Sequence, residues 1–187
     1  MSARHVKTDF TGDTKRRGFV SVIYEYAEAV AIAMVLLVIL FTFCFRVAGV
    51  KGSSMEPTLH NGDRLVLNVH FYEPAYGDIV IVKRYTQDPL VKRVIGIAGD
   101  TIRIDEASGH VYRNGAVLKE PYIMDTTTCK DLVEEVTVPE GYIFVMGDNR
   151  GVSKDSRSAE IGMVDMQDVV GKAILRVWPF RKIGLLE

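Results

Sequence analysis

Cysteine is scarce in this chain: Cys44 and Cys129 are the only two in 187 residues. Two cysteines make no disulfide framework, and Cys44 lies inside an apolar run, which argues against a bridge to Cys129. Neither has a CxxC or Cys/His spacing, so no metal site and no cofactor are expected, and both are read as reduced packing residues. A surplus of charge is also missing. Lys and Arg number 23 against 24 Asp and Glu, a net charge of -1, which leaves no electrostatic footprint for nucleic acid. Internal repeats and low-complexity stretches are absent as well.

Apolar content is plentiful, and it is unevenly placed. From Ala29 to Phe45 there is no charged residue, and a helix over that run would rise about 25 Å at ~1.5 Å per residue, close to the thickness of a bilayer core. The apolar character starts at Phe19, interrupted by Glu25 and Glu28, with Tyr24 and Tyr26 suited to the headgroup level. A core helix of a soluble protein would carry a polar stripe; this run is apolar all round except for Thr42 and Cys44. A transmembrane helix over 18–46 and a contact with the lipid bilayer are therefore expected. Residues 1–17 carry Arg4, Lys7, Lys15, Arg16 and Arg17 against Asp9 and Asp13, a short basic arm that stays in the cytoplasm while the long domain at 47–187 crosses. A cleaved signal peptide has the same order, but no A-x-A site follows; Val47–Gly49 is a poor substitute.

After the anchor, helical periodicity stops. Leu65, Leu67 and Val69 alternate with polar neighbours, as do Ile102 and Ile104. Residues 78–83, 90–97, 134–138, 142–146 and 169–177 read as further strands, with strand–turn–strand expected across Pro139-Glu140-Gly141. Asn114-Gly115 between apolar flanks predicts a hairpin. The fold class expected is mainly β, an antiparallel sheet domain, with a small inserted lobe at about 106–133.

Three islands interrupt this pattern. Residues 52–63 hold a Ser-Ser pair in a Gly/Pro-flanked loop, which by itself is more often a cap or turn. Lys92 sits among Leu90, Val91, Val94 and Ile95; such a lysine usually faces solvent, but pointed inward it would lose its charge readily and become a base. Residues 147–157 are dense in hydroxyls and alternating charges, which can mean only a polar turn held by its own salt bridges.

Together the islands resemble bacterial signal peptidase I in its compact form with one N-terminal anchor. The matching runs are Ser54-Met55-Glu56-Pro57-Thr58-Leu59, Gly77-Asp78-Ile79-Val80, Lys92-Arg93-Val94-Ile95-Gly96, Gly99-Asp100, and the box from Gly147 to Arg157. The resemblance implies a membrane-bound serine endopeptidase that removes signal peptides from exported preproteins after small residues, near the secretion machinery. It makes Ser54 the nucleophile and Lys92 the general base. Chemistry is compatible, because serine needs a base and no histidine stands in the other two islands; His60, in the first, is expected to face solvent. Ser153 would orient Lys92, and Arg93, Asp148, Asp155 and Arg157 would form the ion-pair network. The Ser54 backbone N–H would serve the oxyanion hole, and Gly52 stands where some members have an assisting serine. Substrate would lie extended between 50–54 and 90–92, touching Val50, Gly52, Met55, Leu90 and Val91.

Two other readings exist. A sortase-type cysteine transpeptidase would use Cys129, after Thr126-Thr127-Thr128, with His60 or His70, and leaves the three islands unexplained. An inactive membrane-tethered binding domain would have no need of both Ser54 and Lys92.

Overall fold

The structure is a computed structural model and describes residues 11–69, 72–84, 88–132 and 134–186. Arg4, Lys7, Asp9 and His70 lie outside them. Two compact units divide the chain after Phe43.

The first unit is built on helix α1 (Thr11–Cys44). Its stretch Val22–Ile39 has a mean hydropathy of 2.1 and is long enough to cross a membrane. Tyr24, Tyr26, Leu36 and Leu37 are all exposed on it. The helix begins seven residues before the expected span at 18–46.

The second unit is mainly antiparallel β. Its strands are β1 (Phe45–Gly49), β2 (Arg64–Asn68), β3 (Ile79–Val82), β4 (Leu90–Gly96), β5 (Thr101–Asp105), β6 (His110–Arg113), β7 (Ala116–Val117), β8 (Val136–Thr137), β9 (Tyr142–Met146), β10 (Val164–Asp165), β11 (Val169–Trp178) and β12 (Gly184–Leu185). A larger sheet runs β1-β2-β11-β3-β4-β9-β10, with β12 added to β11; a smaller one runs β7-β6-β5-β8.

Burial explains the patterns. Leu65 and Leu67 point into one core with Ile79, Ile81, Val91 and Ala173. Val80 and Val82, on the other face of β3, join a second core with Val94, Ile143 and Val145. β3 is thus buried on both faces, which is why IVIV is an unbroken apolar run. Ile102 and Ile104 alternate into a third core with Ile95, Val111 and Phe144. The Asn114-Gly115 hairpin forms between β6 and β7, with both residues at positive φ, 53° and 77°.

The strand–turn–strand expected at 134–146 is present, but its two strands do not pair with each other. The strands flanking Pro139-Glu140-Gly141 belong to different sheets: β8 pairs with β5, while β9 pairs with β4 and β10. Buried Val138 and Phe144 pack in the same core from the two sides, so apolar burial rather than mutual pairing fixes these strands. The expected lobe at 106–133 lies inside the 101–137 segment that makes the smaller sheet.

Candidate active site

The 52–63 turn is anchored by Met55 and Leu59, at 1% and 0% exposure in the first core. Leu59 N–H donates to Met55 O at 2.8 Å, and Gly62 N–H donates to Val50 O at 2.9 Å. Gly52 takes φ +80° and its N–H donates to Asn61 Oδ1. The anchors sit one and five residues after Ser54, which leaves Ser54 half-buried at the head of the turn.

β4 brings Lys92 to it. This strand is buried along nearly its whole length, so Lys92 is 1% exposed among valines and isoleucines. Its Nζ donates to Ser54 Oγ at 2.8 Å and to Val91 O at 3.1 Å. Burial pushes the ammonium down from 10.5 to about 8; Asp155 and Asp148 oppose this, while Lys130 and Arg157 reinforce it.

The 147–157 loop closes over the pair. Arg93 on β4 holds Asp148 through two bonds, Nε to Oδ1 at 2.9 Å and Nη2 to Oδ2 at 2.8 Å. Arg157 does the same for Asp155, both at 2.8 Å. Burial favours the protonated form of Asp155, yet the Arg157 bonds and charge and the Gly147 N–H keep its carboxyl below the usual range. Asn149 N–H donates to Ser54 O at 3.1 Å, and Thr58 Oγ1 donates to Asp148 Oδ2 at 2.5 Å, so turn and loop are joined twice. A Cβ on Gly147 would overlap the Ser54 carbonyl and the Ser153 side chain, which makes glycine a steric requirement there.

The four residues expected as a network form two separate bidentate pairs. Ser153 is fully buried; among the described residues its Oγ makes no bond to Lys92 and no well-formed bond to any other, but it lies near enough to Asp155 to help hold that carboxyl down. The Ser54 N–H likewise has no acceptor among them, as an oxyanion donor requires. Of the expected substrate contacts, Val91 lines a groove of about 280 Å³ with Val47, Ala48, Gly49, Leu67 and Ile81. Val50 and Met55 are core residues instead, and Leu90 lines a different cavity, with Val82, Arg84 and Tyr142. His60 is not solvent-facing: it is half-buried, with Nδ1 enclosed and unpartnered.

Several participants were not anticipated. Arg150, fully buried, grips Glu120 with two bonds and Thr127 Oγ1 with a third. Arg93 stacks over Tyr122 at 4.0 Å. Lys130 Nζ donates to Ser153 O. Their partners lie 23 to 30 positions away, and no local pattern signals them. Cys129 is a poor nucleophile, because burial and Glu106 push its thiol up to about 11. No group of three or more His, Cys, Asp or Glu among the described residues converges as a metal site would.

The family profile of signal peptidase, peptidase S26, matches residues 23–178. The chain belongs to the signal peptidase family. Membership makes it a serine peptidase of the kind that removes signal peptides, with preproteins as substrates. It is 36% identical to signal peptidase IB of Staphylococcus aureus strain COL, across 84% of this chain and 91% of the relative. It is 37% identical to signal peptidase I of Bacillus licheniformis, across 86% and 91%. A solved signal peptidase I from Enterococcus faecalis V583 matches at 30% identity with a TM-score of 0.44, over 54% of this chain and 97% of that one.

Proposed function

We propose that this signal peptidase works through a Ser54/Lys92 dyad and is held in the membrane by α1, with residues 47–187 on the outer face and the basic arm in the cytoplasm. The observation that carries the dyad is the 2.8 Å contact between a half-buried hydroxyl and an almost fully buried amine. With an amine near 8, roughly a tenth of the molecules hold a neutral Lys92 at pH 7, some three hundredfold more than for a free lysine.

Neutral Lys92 takes the Ser54 proton as Oγ attacks the scissile carbonyl. The Ser54 N–H donates to the resulting oxyanion. The Lys92 ammonium then returns its proton to the departing amine, leaving an acyl-enzyme. Water, deprotonated by Lys92, releases the signal peptide and regenerates the hydroxyl. Asp148 and Asp155 would otherwise hold Lys92 protonated; each is matched by its own arginine. Ser153 is assigned to orienting Lys92, its enclosed Oγ being available for that bond once substrate is in place.

Substrate is placed along two unpaired strand edges. Among the described residues β1 pairs only with β2, and residues 90–92 of β4 only with β3. The groove between them is apolar and small, which suits small side chains before the cut.

The test is cleavage of a preprotein by purified wild type beside Ser54→Ala and Lys92→Ala. Both variants should be inactive, and wild-type kcat/KM should rise with pH through about 8. Activity surviving in Ser54→Ala but lost in Ser53→Ala would move the nucleophile.

A further inference from the structure

The smaller sheet contributes a strap, residues 120–131, to the loop that covers Lys92. Glu120 and Thr127 take Arg150. Thr128 O accepts from Arg157 Nη1 at 3.0 Å, and Asp131 N–H donates to Arg157 O at 3.2 Å. Ala159 N–H donates to Asp131 Oδ2 at 2.9 Å. Near the end of the strap stands Lys130, in left-handed backbone at φ 55° within a tight turn closed by Leu132 N–H to Cys129 O. Its ammonium lands on the Ser153 carbonyl.

We infer that Lys130 is a positioning residue for Lys92, acting through its charge and through its bond to Ser153. The inference rests on Lys92 being the base. The charged groups around Lys92 are Asp155, Asp148, Arg157 and Lys130. Asp155 is neutralised by Arg157 and Asp148 by Arg93, in geometrically matched pairs. Lys130 has no salt-bridge partner among the described residues; Asp155 and Asp131 attract it without contact, so its cation is the one in that set not held in a matched pair. A cation close to an amine disfavours protonation of that amine, which raises the neutral share of the base. Lys130 is itself exposed, so water screens its field and the effect is a fraction of a unit rather than several. The bond to Ser153 O acts in the same place, fixing the backbone of the residue assigned to orient Lys92.

The experiment compares pH profiles of preprotein cleavage by the full chain in detergent, for wild type, Lys130→Arg, Lys130→Gln, Lys130→Met and Lys130→Glu. The acid limb of kcat/KM should shift upward by about half a unit in Gln and Met, a roughly threefold loss at pH 7, further in Glu, and hardly at all in Arg. High salt should shrink the differences. Profiles that superimpose, even at uniformly lower rates, would overturn the inference and leave Lys130 a purely structural residue. Gln can still donate to Ser153 O and Met cannot, so Met should also lose kcat; an acid limb that stays with wild type in Gln and shifts only in Met would overturn the inference, because charge would then play no part. Failure of the parent reading looks different: Lys92→Ala would then retain activity, and the inference would fall with it. An inactive Lys92→Ala with unshifted Lys130 profiles removes the inference alone.

Discussion

The turn at 52–63 and the loop at 147–157 meet at Ser54 but are secured by different forces. The turn relies on Met55 and Leu59 in an apolar core, with backbone bonds and a hydroxyl left half-open to solvent. The loop has no comparable apolar anchor. Instead it buries Asp148, Arg150, Ser153 and Asp155 at 0% exposure and Arg157 at 1%. Apolar packing is non-directional and fixes a position; paired charges with forked geometry fix orientation too, provided every partner is present. A hydroxyl proposed to meet substrate needs only the first. A lysine proposed to act as a base, its ammonium weakened by burial, needs its surroundings balanced charge by charge, and that requires the second.

The largest effect that can sharpen this contrast is on rate. Ser54→Ala and Lys92→Ala should each lower kcat/KM on a preprotein by at least ~10³-fold, with the double variant no worse than either, because the two act as one unit. Circular dichroism should show Ser54→Ala folded, since the anchors of its turn are untouched. Next is Arg157→Met, which strands a buried Asp155 carboxylate; urea melts should register a loss of about 3–5 kcal/mol. Replacing both, Arg157→Met with Asp155→Leu, should be milder than the single change. If the single change is as mild as the double, the loop is not held by its charges and the contrast with the turn fails.

The third prediction reverses sign. Lys92→Met should stabilise the fold below pH 8 by up to about 3 kcal/mol, because wild type buries an ammonium whose pKa is lowered. Between pH 8 and 10.5 the native state has released its proton while the unfolded chain still binds one, so wild-type stability rises with pH there. The gap between the two melting temperatures should close across that window. The smallest effect is Thr58→Val, which removes the side-chain link from turn to loop at Asp148. A loss of about 1–2 kcal/mol in chemical denaturation is expected.

Much of this was legible in the linear chain where the signal is periodic or local. Alternation at Leu65/Leu67 and Ile102/Ile104, the unbroken IVIV of β3 and the Asn114-Gly115 turn all have short-range causes. So does the apolar stretch of α1. The strands at 134–138 and 142–146 were legible as strands but not as members of separate sheets, because pairing depends on what else is there to pair with. Val50 and Met55, expected as substrate contacts, are buried in the first core, a placement that an apolar side chain near a candidate nucleophile does not reveal in the linear chain.

The sequence by itself singled out the residues proposed to carry the chemistry. Ser54, Lys92 and the 147–157 box are recognisable from residue type and spacing, and so is the membrane-length helix that precedes them. Tertiary structure alone decided which charges balance. Arg93 reaches Asp148 across 55 positions, Glu120 reaches Arg150 across 30, and Lys130 reaches Ser153 across 23. Each charge is individually ordinary in the linear chain. Its effect on Lys92 depends on distance and desolvation, and both exist only after β4, the smaller sheet and the loop have packed together.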